Sequence, residues 1–167
     1  MPRTLPSALL LMMFAACGSS DPRALTDQGS SALNSGNFEA AVRNYEKALT
    51  ALADAGDSGG SDWKRAKLGW VQAEARLDAP RAKEEFLAYA KASSGKVTDA
   101  DYNLIASKFG DAGKFDEAIA ILTAGKAAFP ESPHLDALGK DLVNRAKATG
   151  ASDALDKLKG LGYVGGE

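Results

Sequence analysis

The chain has 167 residues, a formal net charge of −2, 45% hydrophobic residues, one cysteine and one histidine. A near-neutral, mildly acidic chain offers no basic stripe for nucleic acid. One cysteine allows no internal disulfide, and neither a cysteine cluster nor a multi-histidine zinc site can be assembled from this composition.

The first element reads as a processing signal. Arg3 supplies a positive charge, Ala8 to Ala16 an apolar core, and Ala15 and Ala16 are small residues before Cys17. The apolar run is shorter than the roughly 20 residues a spanning helix needs, so it is set aside from the fold. The sequence Phe14-Ala15-Ala16-Cys17 resembles the lipobox of bacterial lipoproteins, with Phe14 where Leu is commoner. That resemblance implies removal of residues 1–16 as a signal peptide, a diacylglycerol on the Cys17 thiol and an acyl chain on the new amino terminus. Several acyl chains together give stable anchoring. Residues 17–21 become a tether. Gly18 stands where an Asp would favour inner-membrane retention, which implies the outer membrane, facing the periplasm.

From residue 22 onward the apolar residues recur at helical spacing, and no segment alternates as a strand does. Leu25, Gly29 and Ala32 share one face, and Ala41 and Tyr45 follow after Gly36. The run Ala55-Gly56-Asp57-Ser58-Gly59-Gly60 reads as an inserted loop. Ala66, Trp70 and Ala73 form the next stripe. Pro80 then opens a helix with Ala82, Phe86 and Tyr89. Thr98 and Asp101 suit a capping box ahead of Tyr102, Ile105, Ala106 and Phe109. Phe115, Ala118, Ile119, Leu122 and Phe129 line a further helix, and Ser132-Pro133 starts another with Leu138, Leu142 and Ala146. Ala154, Leu158 and Leu161 complete the series, and Gly36, Gly95, Gly113 and Gly150 mark helix stops.

These segments repeat. Gly36-Asn37-Phe38-Glu39-Ala40-Ala41 aligns with Gly113-Lys114-Phe115-Asp116-Glu117-Ala118, and a large apolar residue, Tyr45 or Leu122, follows four positions on. Ala41, Ala82, Ala118 and Ala154 recur at intervals of about 41, 36 and 36 residues, near the 34 of one helical repeat class. The pattern resembles the tetratricopeptide repeat. In the copy carrying Ala118, Tyr102, Ile105, Ala106, Phe109, Leu122 and Pro130 also fill its slots; in the first copy Leu25, Gly29, Ala32, Ala41 and Tyr45 do. The resemblance implies an all-α fold over 22–161: a short right-handed solenoid of antiparallel helix pairs with about four repeats, the second degenerate. Residues 162–167 form a C-terminal tail.

A stacked solenoid presents a concave surface to a partner. The family's pattern places Thr26, Ser30 and Asn34 there from the first repeat, and Lys64, Lys67, Val71 and Glu74 from the second. Asn103, Ser107 and Asp111 follow from the third. Some family members hold a C-terminal carboxylate with a Lys/Asn/Arg clamp. Thr26, Ser30 and Leu104 stand at those positions, so chaperone-tail recognition is not implied. A protein or peptide partner, with self-association as a further option, is the expectation, and no cofactor or metal is called for.

Catalysis has little support. His134 is the sole histidine, at a helix start, with no nucleophile pairable with it from sequence. Glu84-Glu85 and Asp116-Glu117 read as solvated helix faces. Trp63 and Trp70 lie two turns apart on one face, which suits repeat packing. The alternative reading is a small envelope enzyme or ligand-binding protein with an enclosed pocket near these tryptophans. The Leu161-Gly162-Tyr163-Val164 tail resembles a short element ending some sulfatase-like domains. None of their catalytic machinery accompanies it, and the tail reads as a cap folded onto the last helix pair.

Overall fold

The computed structural model describes residues 21–93 and 95–164; Cys17, the signal segment and the first tether residues lie outside them. Eight α-helices account for the described chain, without a strand: α1 (Pro22–Asn34), α2 (Phe38–Asp54), α3 (Ser61–Glu74), α4 (Ala79–Ala92), α5 (Asp99–Asp111), α6 (Phe115–Ala128), α7 (Pro133–Thr149) and α8 (Ser152–Gly160). No described helix is long and apolar enough to cross a membrane.

Local chemistry sets the boundaries. Asp21, Asn37, Asp78 and Ser132 each accept a backbone N–H of the first turn that follows, satisfying a donor with no partner inside the helix. Thr98 and Asp101 form the full capping box: the Asp101 N–H donates to Thr98 Oγ1 at 3.4 Å, and the Thr98 N–H donates to Asp101 Oδ2 at 2.7 Å. Five of the eight stops, those of α1, α2, α5, α7 and α8, share one design. The N–H groups of Asn37 and Lys114 reach back to the carbonyls of Ala32 and Phe109, both at 2.9 Å, just after Gly36 and Gly113 at positive φ. This is the Schellman closure, which needs a left-handed residue that glycine adopts without steric cost. The tail ends α8 in the same way, with the Tyr163 N–H on the Leu158 carbonyl at 3.0 Å. Leu161 was expected inside the last helix. It lies beyond it, 41% exposed, because the closure at Gly162 turns the chain away.

The helices form two rows. The odd-numbered helices lie side by side, α1 on α3, α3 on α5 and α5 on α7, and each also packs on the helix that follows it. In the even row α6 contacts both α4 and α8. Ala41, Ala82, Ala118 and Ala154 are buried between rows, and so are Tyr45, Phe86, Leu122 and Leu158 four positions later. Close approach depends on missing side chains: a Cβ on Gly29 would sit 2.8 Å from Tyr45 Cε1, and one on Gly69 would overlap the same ring from α3. Tyr45 therefore fills a slot made by two glycines, its hydroxyl 3.0 Å from Ser30 Oγ. Phe86, Tyr102 and Phe129 continue the core as an edge-to-face series, with centroids 5.2 and 6.0 Å apart.

A candidate contact surface on the odd helices

The outer side of the odd row carries most of the residues expected to meet a partner. Charged groups there are paired across neighbouring helices. Arg23 Nε meets Asp62 Oδ2 at 2.7 Å, Arg65 meets Asp27 at 2.5 Å, and both pairs join α1 to α3. Lys64 Nζ lies 2.6 Å from Asp101 Oδ2 and donates to the Lys96 carbonyl, which ties α3 to α5. Arg145 of α7 pairs with Asp111 of α5 and reaches the Ser107 carbonyl. The result is a ladder of ion pairs with little net charge left to offer.

The expected contact residues divide accordingly. Asn34 is exposed and Asn103 half-buried, and neither side chain makes a hydrogen bond among the described residues. Leu104 beside Asn103 is an exposed large hydrophobic residue. Ser30 and Ser107 are half-buried and already engaged, and Lys64, Lys67 and Asp111 are held in ion pairs. Thr26 and Glu74 are corrections: they are 2% and 3% exposed, so a partner cannot reach them. Neighbouring helices close over them, and the Thr26 hydroxyl turns back to the Pro22 carbonyl at 2.8 Å. Val71 is buried for the same reason.

Trp70 organises a second cluster, between α2, α3 and α4. Its indole N–H donates to Glu46 Oε1 at 3.3 Å, and Lys67 and Arg81 lie 4.9 and 5.2 Å from the ring centroid. Each cation has its own carboxylate: Glu85 at 2.7 Å from Lys67 and Glu74 at 2.8 Å from Arg81. The Lys67 hydrogen bond and charge hold the Glu85 carboxyl below its ordinary range, whereas burial pushes Glu74 above its own despite Arg81. The adjoining recess, about 460 Å³, is open to solvent, and Trp63 does not line it. The enclosed two-tryptophan pocket expected of a ligand-binding protein is not formed there. His134 is exposed at the start of α7, and no group of three or more metal-ligating side chains assembles among the described residues.

No family model matches the chain, and no curated protein or solved structure shows a significant match to it. The sequence pattern and the geometry therefore carry the functional reading. The ladder partners Asp27, Asp62, Arg65 and Arg145 were not singled out from sequence, and Asp101 was read only as a helix cap. Their signal was nonetheless present, as opposite charges about one repeat length apart.

Proposed function

We infer that the protein is a tetratricopeptide-like adaptor of the bacterial cell envelope, held at the membrane by acylated Cys17, that binds a protein partner and performs no catalysis. The observation that carries this reading is the recurrence of one packing unit. A buried alanine with a buried large residue four positions later appears in α2, α4, α6 and α8, each set against the helix before it. Stacked pairs of this kind make an extended surface for a partner. The neutral groups open on that surface, Asn34, Asn103 and Leu104, suit a segment recognised by hydrogen bonds and apolar contact. The lipobox-like Phe14-Ala15-Ala16-Cys17 supports anchoring.

Two experiments separate the halves. Cys17→Ser is expected to move the protein from the membrane to the soluble envelope fraction; retention in the membrane would refute the anchor. A photo-crosslinker at Asn103 or Lys67 in intact cells is expected to capture one discrete protein.

A further inference from the structure

The ion pairs fix the polarity of the two rows. Arg23 pairs with Asp62 near the starts of α1 and α3, Lys64 with Asp101 near those of α3 and α5, and Asp111 with Arg145 near the ends of α5 and α7. All odd helices therefore begin on one edge of the molecule, and the even helices, returning through short turns, end there. That edge gathers the start of α1, the α2–α3 and α4–α5 loops, and the chain leaving α8. Its loops are joined, since Lys96 donates to the Gly59 carbonyl at 2.9 Å and Lys64 to the Lys96 carbonyl at 2.9 Å.

We propose that this edge lies on the bilayer, with Leu161 and the adjacent Tyr163 and Val164 forming a second, apolar membrane contact at the end of the stack remote from Cys17. The proposal rests on the anchor reading. Cys17 precedes the first helical residue, Pro22, by five positions, which span at most about 18 Å when fully extended. The start of α1 is thus confined near the surface, whereas the opposite edge lies a further helix length away, about 20 Å for the 13 residues of α1.

A single tether would let the molecule swing. Leu161 is an exposed large hydrophobic residue on the tethered edge, with Tyr163 and Val164 half-buried in the chain that follows it. An aromatic and aliphatic group of this kind suits the headgroup boundary. Tyr163 is firmly placed. Its ring covers Gly139, where a Cβ would overlap it, and its hydroxyl donates to Asp136 Oδ1 at 3.5 Å. Lys64, Lys96 and Lys126 on this edge are turned into protein oxygens, whereas exposed Lys159, two residues before Leu161, keeps its charge beside the apolar contact, as a long cationic side chain does at the headgroups. Exposed Leu77, in the α3–α4 turn, stands on the opposite edge and faces away from the membrane.

The test uses the full acylated chain in phosphatidylcholine vesicles carrying a headgroup nitroxide. Acylation consumes the only native thiol, so Leu161→Cys and Leu77→Cys each provide one free site for a fluorophore, both at exposed positions. The label at 161 is expected to be quenched several-fold more than the label at 77. Equal quenching, or stronger quenching at 77, with the chain still floating with vesicles would overturn the edge contact and leave the anchor standing. Failure of the unsubstituted chain to float would overturn both.

Discussion

Tyr45 explains why small residues recur in this chain. Its ring occupies space that a side chain on Gly29 or Gly69 would take, so α1 and α3 both close on α2. Gly69→Ala is expected to destabilise the fold by about 1–3 kcal/mol, the usual cost of overpacking, in urea denaturation. Gly160→Ala, with open space around its Cβ, should be neutral or slightly stabilising. Glu74 is a different case. Burial raises its carboxyl above the ordinary value of 4.5, so the charged form is less favourable in the folded protein than in the unfolded chain. Its cost is fully present above the folded value and vanishes as pH falls below the ordinary one. Glu74→Gln should therefore raise Tm at neutral pH, with a gain that shrinks in acid; a gain independent of pH would contradict this account.

Helix boundaries were legible in sequence because they depend on local chemistry. Thr98 with Asp101, Ser132 with Pro133, and the stops at Gly36, Gly113 and Gly150 are short-range rules, and each appears where the rule places it, whereas α4 ends at Ala92, ahead of Gly95. Burial of individual groove positions was less legible. Thr26, Val71 and Glu74 sit where the repeat pattern expects surface, yet neighbouring helices enclose them, Glu74 against Arg81 of α4. Periodicity describes one helix at a time and does not record how closely its neighbour approaches. Leu161 was misplaced for the opposite reason, since its apolar spacing continues the α8 stripe past a stop set by Gly162. Contacts between units are concentrated in a few large side chains. Phe86 is fully buried and meets Tyr102 of the following pair edge-on, so Phe86→Ala is expected to cost about 3–5 kcal/mol in chemical denaturation.

For the whole molecule, the two rows and the paired charges, together with the proposed anchor at Cys17, suit function through position. On the proposed adaptor function, a surface whose charges are spent on one another is expected to recognise its partner by shape and hydrogen bonding, and salt should weaken that recognition little. The partner's identity is not encoded in the packing residues, which is why the fold could be read further than the site. The most direct measurement places a photo-crosslinking residue at Asn103 on the odd-row surface, or at exposed Glu39 on α2, in intact cells. One discrete protein adduct from Asn103, absent from Glu39 and persisting at raised ionic strength, is the predicted result. No adduct from Asn103, or the same products from both positions, would contradict the adaptor reading.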